Sequence, residues 1–158
     1  MSCIILACAL AGILNVPAKA DETLRYRHII HFTSLQSLDL GDTDGHAALV
    51  ARFSSTAIFA DNSMAATEGI VFADYVKGNG PISGYNCLNF NDGSTIVFKW
   101  SGTNTVDGKG AIQKGIGTIT GGKGGYDDAR GDLTWSGGRV GPAGTVDSYA
   151  DFVVNIKK

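Results

Sequence analysis

The chain has 158 residues, 22 of them glycine and 3 proline, with a hydrophobic share of 44% and a formal charge of −2. That apolar share suffices for one core and excludes a disordered charged tail. Abundant glycine with little proline and no three-residue period excludes collagen, and a pI near 5.8 offers no electrostatic case for nucleic acid.

In chain order, Cys3 to Leu14 form an apolar run of 12 residues, shorter than the roughly 20 helical residues a bilayer requires. It is followed by Ala18-Lys19-Ala20, the small-residue pattern of signal cleavage. Residues 1–20 are therefore read as an export signal and residues 21–158 as a single domain. The expected destination is secreted or periplasmic, with no membrane span left after cleavage. Cleavage removes Cys3, Cys8 and Lys19 and moves the charge to −3, from 12 basic and 15 acidic residues. Cys87 then stands alone, so no internal disulfide is available. Packing and backbone pairing must hold the fold.

After Asp21 no segment sustains a helical apolar period, and alternation with period two recurs instead. Residues 25–33 put Tyr26, His28, Ile30 and Phe32 on one face, and residues 46–59 set Leu49, Ala51 and Phe53 against Val50, Arg52 and Ser54. Residues 67–76 follow the turn Asp61-Asn62-Ser63 and carry Glu68, Ile70 and Phe72 on one face. Residues 84–90 and 95–101 flank Asn91-Asp92-Gly93-Ser94, where Asp-Gly supplies the positive φ of a tight hairpin. Tyr85 and Cys87 share one face of that hairpin, and Ile96, Phe98 and Trp100 share another. Residues 111–120, 131–137 and 145–156 complete eight strands, the last with Tyr149, Asp151 and Val153 on one face.

Consecutive strands with short turns and no crossover helix predict an all-β protein: an eight-stranded antiparallel up-and-down barrel whose closure removes exposed edges. A two-sheet sandwich is the other architecture the pattern permits. Residues 102–144 hold 14 of the 22 glycines. Glycine inside a strand marks a bulge, a bend or a close approach, so this block reads as structural. A barrel of eight strands has an interior just wide enough for side chains or one small ligand.

The run from Gly117 through Gly121-Gly122-Lys123-Gly124-Gly125-Tyr126 to Gly131-Asp132-Leu133-Thr134 resembles the late hairpin of the allene oxide cyclase/dirigent barrel superfamily, in the form of its bacterial exported members. Gly84-Tyr85-Asn86-Cys87 and Lys99-Trp100-Ser101-Gly102 resemble the preceding hairpin. The resemblance covers residues 80–137 and implies a calycin-like barrel with an apolar interior. Plant members cyclise an unsaturated fatty epoxide or steer phenolic radical coupling, and the cyclases use a carboxylate inside the barrel. The first strand here holds no Asp or Glu, so no catalytic residue of the family carries over.

Other motifs fail on spacing. Gly117 to Lys123 imitates a phosphate loop, but Gly124 stands where Ser or Thr is required. Asp42-Thr43-Asp44-Gly45 lacks the flanking ligands of a calcium-binding EF-hand, which leaves a polar turn in which Asp39, Asp42 and Asp44 could bind calcium weakly. His28 and His31 point to opposite faces of one strand, and only His46 remains to join either. No metal site and no cofactor is expected.

Glu68 is the candidate catalytic residue, provided its face turns inward, where desolvation would raise its pKa into the range of a general acid or base. Tyr85, Cys87, Trp100 and Tyr149 are the candidate ligand contacts, as aromatics near a barrel mouth that can clamp a flat apolar molecule. Ordinary core packing explains the same residues. The leading functional reading is a non-catalytic exported barrel that holds one small hydrophobic molecule. Beside it stand an isomerase or cyclase acting on a reactive lipid or polyketide inside the barrel, and a structural envelope protein that forms homo-oligomers. Ligand binding requires an apolar cavity above about 300 Å3, and catalysis requires an inward carboxylate.

Overall fold

Each run of alternating side chains forms a strand. The computed structural model describes residues 21–107, 110–139 and 147–157. In order they are β1 (Glu22–Asp39), β2 (His46–Phe59), β3 (Met64–Val76), β4 (Gly80–Asn89), β5 (Thr95–Asp107), β6 (Gly110–Lys123), β7 (Arg130–Arg139) and β8 (Ser148–Lys157), with one 3-10 turn at Gly124–Tyr126. Each strand pairs antiparallel with the next, and β8 pairs back onto β1. The result is a closed barrel, not a sandwich, and every edge hydrogen-bonds to a neighbour. The expected export signal and residues 145–146 of the predicted last strand lie outside the described residues.

The first and fifth strands run six residues beyond their predicted ends. Their extensions are mostly polar, and all but Gly102 and Asn104 are exposed, so apolar periodicity ends while backbone pairing continues, with Leu35 to Asp39 opposite Ala51 to Ala47. Where β8 closes on β1, the Arg27 guanidinium donates two 2.7 Å hydrogen bonds to the Asp151 carboxylate and lies 5.5 Å from the Tyr149 ring centre. This outer staple pins the seam in register.

Two tryptophans account for four of the glycines: Gly84 and Gly117 face Trp100, and Gly102 and Gly115 face Trp135. Trp100 and Trp135 meet edge to face inside the barrel at 5.1 Å, Trp135 stacks on Phe152, and Phe152 stacks on Tyr26. A Cβ on Gly84 would lie 2.5 Å from Trp100 Cζ2, and one on Gly115 would lie 2.6 Å from Trp135 Nε1. The rings need bare backbone beneath them, because an interior this narrow has no other space for an indole.

The two ends of the barrel differ. Where β2, β4 and β6 finish, Phe59, Phe90 and Tyr126 form a stacked series, with centroid distances of 5.9 and 5.0 Å, that joins Tyr26. These rings close that end. At the opposite end the register of β1 shifts between Phe32 and Ser34. Even-numbered residues face inward up to Phe32, and Leu35 and Ser37 do so beyond it. The bulge bends the strand and brings Leu35 to the rim of an open mouth.

Candidate functional site

The open end leads into a funnel. Its outer part has a volume of about 310 Å3 and is walled by Phe32, Leu35, Leu49, Val71, Tyr75 and Ile82, with Ser37, Gln113, Arg139 and Ser148 as the polar members. An inner recess of about 40 Å3 shares Phe32, Val71, Ile82, Gln113 and Ser148 with it and reaches His28, Asn86, Trp100, Trp135 and Phe152. Period-two alternation places these side chains, except Leu35 and Ser37, which the bulge after Phe32 turns inward. Among the described residues no Asp or Glu lines either part.

The polar groups of the funnel differ in state, and Trp135 Nε1 is buried without a hydrogen-bond partner. The Asn86 side-chain oxygen accepts a 2.8 Å hydrogen bond from Trp100 Nε1, which fixes the indole against the wall. Burial raises the Tyr75 phenol to about 12 against the opposing charge of Arg139, so it is a neutral donor at physiological pH. Arg139 sits opposite Ser148 in the β7–β8 register, and no carboxylate pairs with it among the described residues.

At the floor, His28 is 1% exposed, and neither ring nitrogen has a hydrogen-bond partner. Its neighbours are aromatic: Phe152 at 5.0 Å and Tyr26 and Phe53 at 6.0 Å, all edge to face. Burial lowers its pKa to about 4 against a weak opposing pull from Asp151. At neutral pH it is an uncharged ring in an apolar cage.

The predicted site residues do not converge. Trp100 lines the inner recess, whereas Tyr85 and Cys87 face outward and border an open concavity on the barrel's outer wall. Tyr149 is also outside, under the Arg27 guanidinium. Glu68 lies opposite Cys87 on that same outer wall and is exposed, so the inward carboxylate that catalysis required is not supplied by Glu68. The expectation fails for a physical reason: both faces of β3 carry apolar residues, Val71 and Ala73 inside, Ile70 and Phe72 outside, so alternation separates the faces without saying which is interior. The Cys87 thiol is pushed up by partial burial and then by the charge of Glu68, which makes it a poor nucleophile.

The acidic turn is engaged internally. His46 reaches Asp42 at 2.5 Å and Asp74 at 2.7 Å, Lys77 pairs with Asp44 at 2.8 Å, and the Gly41 amide donates to Asp39. Among the described residues no cluster of three metal-ligating side chains occurs. The residues that sequence reasoning missed are Tyr75, Gln113, Arg139 and Ser148. Extending the alternation of Leu133 and Trp135 to the end of β7 would have pointed to Arg139.

No family model and no curated protein matches this chain. Solved structures do. The pterocarpan synthase dirigent protein PsPTS1 superposes with a TM-score of 0.56 at 14% identity, over 89% of this chain and 96% of that one. The pterocarpan synthase dirigent protein GePTS1 gives 0.56 at 12% identity, over 87% and 89%. At such identities the likeness is one of fold: this chain is a dirigent-like eight-stranded barrel.

Proposed function

We propose that this barrel holds one small, mostly apolar molecule in its funnel, without carrying out chemistry on it. The observation that carries the reading is the funnel itself: about 310 Å3 of largely apolar space open at one end, with a narrow recess below it and aromatic rings across the far end. Pockets that bury small molecules are of this size, with apolar walls and few polar groups. The two structural neighbours are named for a role with small molecules, and they lend this chain only the scaffold. The cyclase reading needs an inward carboxylate, and Glu68 is outside.

The proposal takes the working chain as Asp21 onward, exported and cut after Ala20. Amino-terminal sequencing of the secreted or periplasmic protein tests that part. For binding, the neutral dye N-phenyl-1-naphthylamine is titrated into purified protein and followed by fluorescence. The expected result is saturation at one dye per chain, loss of binding in Ile82→Trp, which fills the funnel, and retention in Tyr85→Ala on the outer wall. Binding that survives Ile82→Trp and disappears in Tyr85→Ala would refute the assignment.

A further inference from the structure

His28 and Asn86 sit in the inner recess, while Ser37, Tyr75, Gln113, Arg139 and Ser148 line the outer part, and every one of these five can donate. Arg139 ends β7 on the inward face, opposite Ser148, and Tyr75 lines the same mouth. Gln113 lies one diagonal step away on β6. The walls below are Phe32, Val71 and Ile82, and among the described residues no carboxylate lines the space. A guanidinium with no carboxylate partner, set above an apolar shaft, favours a ligand that is charged at one end only.

We infer that the funnel selects a small amphipathic organic anion, its apolar body on Phe32, Val71 and Ile82 and its anionic head on the Arg139 guanidinium with the Tyr75 hydroxyl donating beside it. The inference rests on the ligand-holding reading and sharpens it by naming the ligand's charge and orientation. A carboxylate and a sulfonate present the same chemistry to Arg139, so either serves as the probe. A cationic head would meet Arg139 with like charge at the rim, and a wholly apolar molecule would leave the rim donors without an acceptor.

The test uses two dyes that share one scaffold. 8-Anilinonaphthalene-1-sulfonate is N-phenyl-1-naphthylamine with a sulfonate added. The sulfonated dye is expected to bind about tenfold more tightly than the neutral one, the size of one partly exposed charge-assisted contact. Arg139→Gln should remove that preference while leaving the neutral dye within about twofold, and Arg52→Gln on the outer wall should change neither. High salt should weaken the sulfonated dye alone. Neutral binding without any preference for the sulfonate, or a preference that survives Arg139→Gln, overturns the inference and leaves the ligand-holding reading intact. Failure of both dyes to bind overturns both.

Discussion

Replacing His28 by Phe should flatten the acid limb of the stability curve. The imidazole is buried, caged by Tyr26, Phe53 and Phe152, and held neutral with its pKa lowered from 6.5 to about 4. In the unfolded chain it titrates at its ordinary value, so between these two values the unfolded state binds more protons. Stability is then complete above 6.5 and falls as the pH drops toward 4. At 1.36 kcal/mol per pH unit the full loss approaches about 3 kcal/mol, with about 1.4 kcal/mol gone at pH about 5.5 and about 2.6 at pH about 4.5. Exposed carboxylates such as Asp151 also lose partners in acid, so the informative quantity is the difference between wild type and variant. Urea unfolding near pH 7.5, 5.5 and 4.5 should show His28→Phe gaining on wild type by roughly these amounts. His28→Leu serves where the larger ring does not fit. A difference between the two proteins that stays constant with pH would refute the reasoning, because it would mean that the folded state accepts the proton as readily as water does.

Other expectations follow from the packing and the surface. Gly84→Ala sets a Cβ 2.2 Å from the Ile70 carbonyl oxygen and 2.5 Å from Trp100. It should lower the unfolding free energy by about 1–3 kcal/mol or more, whereas Gly121→Ala, with nothing within 4 Å, should stay within about 0.5 kcal/mol in the same chemical denaturation. Phe98→Ala empties a fully buried site and should cost about 3–5 kcal/mol, read from the same curves. His46 donates from both ring nitrogens only as imidazolium, and its carboxylate partners Asp74 and Asp42 raise its pKa above 6.5. Its contribution is complete below 6.5 and is lost as the pH rises through the raised folded value. Amide exchange at Leu40 and His46, whose N–H groups close the β1–β2 turn, should therefore accelerate toward alkaline pH more than intrinsic exchange does, and His46→Gln should abolish that excess.

Much of the fold was legible because period-two alternation is local. The faces of β1, with Tyr26, His28, Ile30 and Phe32 together, and of β5, with Ile96, Phe98 and Trp100 together, are those of the barrel interior. What alternation does not carry is the sign of a face when both sides are apolar, and this is why Glu68, Tyr85 and Cys87 stand outside. Nor does it carry phase through a bulge: the shift after Phe32 turns Leu35 into the rim. The ring series Phe59, Phe90 and Tyr126 comes from residues flanking three different turns, and only closure of the barrel brings them together. The glycine excess was legible as geometry, and at Gly84, Gly102, Gly115 and Gly117 the structure adds an immediate cause in Trp100 and Trp135.

The central claim is that a ligand enters the funnel rather than settling on the outer wall, and the isoleucines report on it directly. Ile30 and Ile82 line the interior, while Ile29, Ile112 and Ile116 are exposed outside. In methyl-labelled protein saturated with N-phenyl-1-naphthylamine, ring-current shifts should move the Ile30 and Ile82 methyl resonances and leave Ile29, Ile112 and Ile116 in place. Shifts confined to the outer isoleucines, with Ile30 and Ile82 unmoved, would contradict the account.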